Sequence, residues 1–122
     1  MIYNRIKLVN LTPHTVNIFT NEGDELFIPP SGIVARRACE EEVIGDFGGI
    51  SVAMRTYEHI VYMRNKLEIK DFVIDPEKLY IVSRICLAGR DTPINFFAPG
   101  ELVGQDGVNK GGKGLVRVKY LT

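Results

Sequence analysis

Ile6-Lys7-Leu8-Val9-Asn10-Leu11 is followed closely by Thr15-Val16-Asn17-Ile18-Phe19, and these two stretches indicate the fold class. Apolar and polar residues alternate in both, which is typical of half-buried β-strands. The turn sequence Asn21-Glu22-Gly23-Asp24 predicts a hairpin, because Asn and Gly tolerate positive φ, and residues 25–28 then form the return strand. The pair Pro29-Pro30 lacks two backbone donors, so the sheet must break there.

The sequence pattern of the rest of the chain also predicts mostly strands and turns. Further strands are predicted at residues 33–43, 50–57, 79–82 and 115–120. Residues 58–70 fit either a strand with a turn or a short helix, and residues 83–89 either extend a strand or form a brief helix. Asp75-Pro76-Glu77-Lys78 predicts a one-turn helix, because Asp caps and Pro fits the first turn. The predicted fold is mainly β (α+β), an antiparallel sheet with one or two short helices.

Composition limits the classes of function. The 122 residues predict one domain over residues 1–122, and 15 basic residues balance 15 acidic ones, which argues against a nucleic-acid polymer as partner. No apolar run approaches the roughly 18 residues of a membrane span, and the N-terminus has no signal-peptide pattern. We therefore expect a cytoplasmic protein without a membrane partner, in which Cys39 and Cys86 stay reduced.

The sequence lacks the residue patterns typical of phosphate loops, of nucleophilic catalysis and of metal sites. Residues 107–114 nearly match a phosphate loop, but Gly114 stands where Ser or Thr should hold magnesium, so a glycine-rich hairpin loop is predicted. The histidines, His14 and His59, are not spaced to pair with a hydroxyl nucleophile. No His or Cys pair has metal-ligand spacing, and we expect no catalysis, metal or cofactor.

The segment from Ser83 to Gly100 is the candidate binding site. Arginine can hold phosphate oxygens, Asn can bond a base edge, and Phe can stack on a base. The candidate residues of this segment are Ser83, Arg84, Arg90, Asp91, Asn95, Phe96 and Phe97. An alternative stays open, in which the Arg90–Asp91 pair holds a loop and one Phe is buried. Arg36, Arg37 and Arg55 lie on neighbouring predicted strands and either add phosphate contacts or face water.

Four short motifs occur in order along the chain. They are Asn10-Leu11-Thr12-Pro13-His14, Pro29-Pro30-Ser31-Gly32 with Ala35-Arg36, Tyr80-Ile81-Val82-Ser83, and Arg90-Asp91 with Pro99-Gly100. Together they resemble a widespread family of small phage and prophage proteins, and the chain resembles the Thoeris anti-defence sponges. The resemblance implies a viral protein of the host cytoplasm that sequesters cyclic ADP-ribose signals without cleaving them. Some sponges also hold the cyclic oligonucleotides of CBASS immunity.

The resemblance also has consequences for the site. It implies that aromatic rings take the base, arginines the pyrophosphate, and Asn or Ser the hydroxyls, and we include His14 among the ligand-binding candidates. A small β domain offers little concave surface, so we expect a homo-oligomer, at least a dimer, with pockets lined by both protomers. Two other functions stay open: a nucleotide hydrolase, and a structural or morphogenesis protein of a phage.

Overall fold

The computed structural model describes residues 1–100, 102–105 and 108–118, with only the backbone described for 102–105 and 108–110. Strands make up 56% and helices 4%, which confirms the mainly β fold. The strands are β1 (Ile2–Tyr3), β2 (Ile6–Asn10), β3 (Val16–Phe19), β4 (Glu25–Ile28), β5 (Val34–Phe47), β6 (Ile50–Arg64), β7 (Leu67–Ile69), β8 (Lys78–Ile81), β9 (Phe96–Pro99), β10 (Leu102–Gln105), β11 (Val108–Lys113) and β12 (Leu115–Val116). A 3-10 helix spans Arg84–Leu87.

The strands form three sheets. Their orders are β1-β2-β8-β9-β12, β10-β11-β3-β4 and β5-β6-β7. Strand β8 runs parallel to both β2 and β9, and β11 runs parallel to β3, so two of the sheets are mixed rather than antiparallel throughout. Parallel neighbours need long connections, and local alternation in the sequence does not reveal which distant segments will pair.

The hydrophobic core has two clusters. The first contains Leu11, Ala35, Tyr80, Val82, Cys86, Leu87, Phe96 and Ala98, and the second contains Leu8, Ile18, Ile28 and Ile81. Tyr80 and Ile81 are adjacent in β8 yet belong to different clusters, because successive strand residues point to opposite faces. The central strand of the five-stranded sheet is therefore buried on both faces.

The predicted one-turn helix at residues 75–78 is wrong. Asp75 instead closes a turn, in which its Oδ1 accepts a hydrogen bond of 2.9 Å from the Glu77 amide and its carbonyl accepts one of 3.2 Å from the Lys78 amide. Lys78 then begins β8 and pairs with Lys7 of β2. Sheet pairing overrides the local helix-start signal, and the short helix forms at Arg84–Leu87 instead.

The glycine-rich segment and the last strand also differ from prediction. Residues 108–113 form strand β11 rather than a hairpin loop, and residue 107 lies outside the described residues. A Cβ on Gly112 would lie 2.7 Å from the Pro99 Cβ, so glycine permits β11 to cross β9 closely. The last strand ends at Val116, and the guanidinium of the next residue, Arg117, donates to the carbonyls of Pro93 and Phe96. Residues 119–122, which include the end of the predicted strand, lie outside the described part.

Residues 58–70, left open by the sequence, complete a long hairpin. Strand β6 continues to Arg64, a turn at Asn65 and Lys66 has φ of 50° and 66°, and β7 follows. Strand β7 pairs only with residues 62–64 of β6. We call residues 39–57 the arm, because this part of the β5–β6 hairpin has no third strand beside it in the described chain and contributes nothing to either core cluster.

Candidate functional site

Two adjoining cavities lie at the base of the arm and form one groove. Their volumes are about 490 and 590 Å³, and both are lined by Pro13, Val34, Arg36 and Met63. The smaller cavity is further lined by Gly32, Asn65 and Lys66, and the larger by Thr12, Ala35, Arg37, Ala38, Val61, Ser83 and Ile85. Volumes of this order are ordinary for small-molecule sites, which span about 300–1,000 Å³.

The side chain of Asn10 fixes one wall of the groove. Asn10 is 1% exposed, and its Nδ2 donates to the carbonyls of His14 at 2.7 Å and Ile28 at 2.9 Å. Its Oδ1 accepts from the amide of Thr12 at 2.9 Å and from the hydroxyl of Thr12 at 2.7 Å. The motif Asn10 to His14 is therefore a hydrogen-bonded turn, and it presents Thr12 and Pro13 to the groove.

Two consecutive arginines of β5 differ in their exposure to solvent. Arg36 is exposed and lines both cavities, whereas Arg37 is 5% exposed. The Arg37 guanidinium donates to the carbonyls of Glu58 at 2.7 Å and Cys86 at 3.2 Å, and its Nη2 lies 3.1 Å from Asp91 Oδ1. Because these partners come from separate segments, Arg37 holds β5, β6 and the loop after the 3-10 helix together and leaves Arg36 at the groove.

Asp91 neutralises the buried arginine and does not line the groove. Its Oδ1 pairs with Arg37, and its Oδ2 lies 3.2 Å from Nδ1 of the exposed His59. The hydrogen bond from His59 and the pairing with Arg37 lower the pKa of the Asp91 carboxyl below its usual value, although partial burial opposes the shift. The carboxylate is therefore ionised near neutral pH and remains bonded to Arg37 and His59.

The groove is positively charged. Arg36 and Lys66 line it, and no carboxylate, histidine or thiol side chain lines either cavity in the described part of the chain. Its remaining lining is mostly apolar, with the hydroxyls of Thr12 and Ser83 as polar additions. Such a surface can hold an anionic group beside Arg36 and an apolar or aromatic moiety beside Val34 and Met63.

The candidate residues between 84 and 97 mostly hold the protein's own structure. The Arg84 guanidinium donates to the carbonyls of Pro99 and Gly100, each at 3.1 Å. The Asn95 amide donates to the carbonyls of Asp75 and Lys78 at 2.9 and 2.8 Å.

The two phenylalanines of this stretch are placed differently from each other. Phe96 is 0% exposed in the first core cluster, with its ring 5.5 Å from that of Tyr80, so it cannot stack on a ligand in this conformation. Phe97 is half-buried in β9, and Arg90 is exposed. Of the candidates between residues 83 and 97, only Ser83 lines the groove in the described chain.

The candidates outside the 84–97 stretch differ in whether they line the groove. Arg55 is in the arm, where its Nε lies 2.8 Å from Glu41, and this hydrogen bond raises the pKa of the guanidinium further. His14 is exposed beside the groove-lining Pro13, and its carbonyl accepts bonds from Asn10 and Thr12. Arg55 does not line the groove, whereas Arg36 and Ser83 do.

Sequence reasoning missed Met63 and Lys66 as groove residues. Both fall in the segment whose structure the sequence left open, so no face could be assigned to them. A signal for Lys66 was present in Arg64-Asn65-Lys66, because Asn before a strand-like run often marks a tight turn with positive φ.

Comparison with protein families, curated proteins and solved structures finds no match to this chain. Within the described ranges, no helix has the length and apolar character needed to cross a bilayer. The same residues contain no group of three or more His, Cys, Asp or Glu side chains arranged to hold a metal ion.

Proposed function

We propose that the protein binds a small phosphorylated signal molecule in the groove beside β5 and holds it without cleaving it. The observation that carries this proposal is the groove's lining, where Arg36 and Lys66 face a described surface free of carboxylates. A phosphate or pyrophosphate next to Arg36 gains charge-assisted hydrogen bonds and meets no described like charge in the lining.

The class of ligand follows from the groove's size and from the resemblance to the anti-defence sponges. Cyclic ADP-ribose isomers and cyclic oligonucleotides combine phosphates with a base and riboses. The apolar side chains Val34, Val61, Met63 and Ile85 supply contact area for a base, and the hydroxyls of Thr12 and Ser83 supply hydrogen bonds for riboses. We propose that the protein acts on such signals in the host cytoplasm as a viral inhibitor of TIR-dependent defence.

Binding without turnover is favoured by what lines the groove. Hydrolysis by nucleophilic or general-base catalysis needs a base within hydrogen-bond reach of a hydroxyl, thiol or water. The polar neighbour of Ser83 is the thiol of Cys86, at 3.6 Å, and burial raises the pKa of that thiol. His59 is engaged with Asp91, which does not line the groove.

The first experiment is a thermal-shift panel with cyclic ADP-ribose isomers and cyclic di- and trinucleotides, followed by calorimetry on any ligand that stabilises the protein. A ligand at 100 times its Kd adds about 2.7 kcal/mol of stability, which raises Tm by several degrees. The bound ligand is then released by heat denaturation and analysed by mass spectrometry. We expect it back intact; a cleaved product would establish a hydrolase instead.

A matched pair of variants locates the site. Arg36→Ala removes a charge-assisted contact, and we expect Kd to rise about 10- to 150-fold, corresponding to about 1.5–3 kcal/mol. Arg64→Ala is the control, because Arg64 is also exposed but lines neither cavity in the described chain. Equal effects of the two substitutions would refute the assignment to this groove.

A second candidate function is favoured by a different observation. The arm exposes Phe47 by 66% and Ile50 by 69%, which is typical of a subunit of an assembly. If the protein is a structural or morphogenesis protein of a phage, no nucleotide of the panel should shift its Tm. It should instead associate with other phage proteins. The same panel therefore separates the two functions.

A further inference from the structure

The arm exposes apolar side chains that its own chain does not cover. They are Val43, Ile44, Phe47, Ile50, Met54 and Tyr57, with exposures from 41% to 69%. A two-stranded ribbon with no layer against it is marginally stable in water, and contiguous exposed apolar patches mark interaction surfaces. Phe47, Ile50 and Met54 lie on one face of this ribbon and Val43 and Tyr57 on the other, because Phe47 pairs with Ile50 and Val43 with Ala53.

The two edges of the arm differ in charge. Strand β5 carries Glu40, Glu41 and Glu42 in succession, and an antiparallel copy of that edge would place glutamates opposite or beside one another. Strand β6 has no acidic residue and no proline over residues 50–57. Strand β7 pairs with residues 62–64 of β6, so among the described residues no strand pairs with the outer edge of residues 50–57. Charged residues protect edge strands from pairing, so the edge of β5 is protected and that of β6 is open.

We propose that two copies of this chain associate through the outer edge of β6, with the two strands pairing antiparallel about a two-fold axis at Ala53. Identical edges satisfy two-fold symmetry directly, since each residue meets the same surface on the partner. An axis at Arg55 would set two guanidinium groups opposite each other. An axis at Ala53 sets Val52 opposite Met54 and Arg55 opposite Ser51, with no like charges opposed.

This pairing also brings together the apolar residues on one face of the two arms. Phe47 lies opposite Ile50 across the hairpin, and alternation puts Ile50, Val52 and Met54 on the same face. With the axis perpendicular to the sheet, residues of the same parity oppose each other, so the apolar faces of both arms join on one side. The result is a four-stranded sheet whose two central strands carry an apolar stripe on one face, with Glu40 and Glu42 of β5 at its margins. Such a sheet is more stable than an isolated two-stranded ribbon.

Val43 and Ala53 form a matched pair for the test, because they lie opposite each other in the arm, on β5 and β6. Sedimentation equilibrium should give the wild-type chain at least twice the monomer mass. Ala53→Lys places two ammonium groups face to face at the axis, and we expect the dissociation constant to rise at least about tenfold. Val43→Lys adds the same charge on the protected edge and should leave association unchanged.

Cysteine cross-linking tests the register independently of stability. In a Cys39→Ser background, Ala53→Cys should yield a disulfide-linked dimer on mild oxidation, because residues at the axis lie opposite their own copies. Val43→Cys should stay uncrosslinked. A monomeric wild type, equal effects of the two lysine substitutions, or cross-linking at Val43 alone would overturn the proposal. None of these outcomes depends on ligand binding in the groove.

Discussion

Replacing Asn10 with alanine tests how strongly a single buried amide holds the groove wall. The substitution removes four hydrogen bonds, two donated to the carbonyls of His14 and Ile28 and two accepted from Thr12. At about 0.5–1.5 kcal/mol net for each bond, the free energy of unfolding should fall by about 2–6 kcal/mol. We expect about 4 kcal/mol, because the bond to Ile28 is buried and its carbonyl loses this partner without access to bulk water.

The measurement is urea unfolding followed by far-UV circular dichroism, since the chain has no Trp. Thr12→Val is the control, because it removes the hydroxyl, whose one proton is shared between Asn10 Oδ1 and the His14 carbonyl, and keeps the amide bond to Asn10; it should cost about 1 kcal/mol. The m-value should not change in either variant. A loss below about 1 kcal/mol for Asn10→Ala, or one no greater than that of Thr12→Val, would show that the Asn10 side chain does not hold the groove wall.

Three further predictions concern the core, the ion pair and the thiols. Phe96→Ala should lower the free energy of unfolding by about 3–5 kcal/mol in the same urea assay, because Phe96 is fully buried; a loss near zero would show that it is not a core residue. The depressed pKa of Asp91 stabilises the fold above the unfolded-state pKa, near 4, and this stabilisation disappears as pH falls through the folded-state value. Asp91→Asn should therefore be less stable than wild type at pH 7 and approach it at pH 3, and a constant difference would contradict the pairing with His59 and Arg37. Cys39 is exposed and Cys86 is buried, so a thiol reagent should modify one cysteine in native protein and both in urea; two rapid reactions in native protein would contradict the placement of Cys86.

Local sequence signals predicted much of the fold. The alternation in residues 6–28 and the Asn21–Asp24 turn correspond to β2, β3 and β4, because hairpin geometry depends on neighbouring residues. The sequence predicts a helix at residues 75–78, where the structure has a turn, because the pairing of Lys78 with Lys7 depends on a distant strand. Parallel pairing of β8 with β2 and β9 also lies beyond any local signal.

The candidate site was harder to predict for a physical reason. Arg, Asn and Phe are suited to nucleotides, but the same groups also satisfy buried carbonyls and fill cores. Asn95 caps carbonyls 17 and 20 residues away, and Phe96 aligns with Tyr80 of β8. Alternation places Arg36 and Arg37 on opposite faces, yet only the tertiary structure shows that Arg37 is the buried one.

Arg36 and Arg37 have different roles at the groove, one in charge and one in structure. Arg37 donates to the carbonyls of Glu58 and Cys86 and holds the strands in place, whereas Arg36 is exposed and lines both cavities. Arg36 is therefore the cation on which the proposed phosphate contact depends, with Lys66 as the second.

The most direct measurement is a crystal structure of the protein with the cyclic nucleotide that stabilises it most in the thermal-shift panel. We expect an intact ligand in the groove, with phosphate oxygens within hydrogen-bond distance of the Arg36 guanidinium and the base against Val34 and Met63. A ligand bound away from this groove, with Arg36 left in solvent, would contradict it.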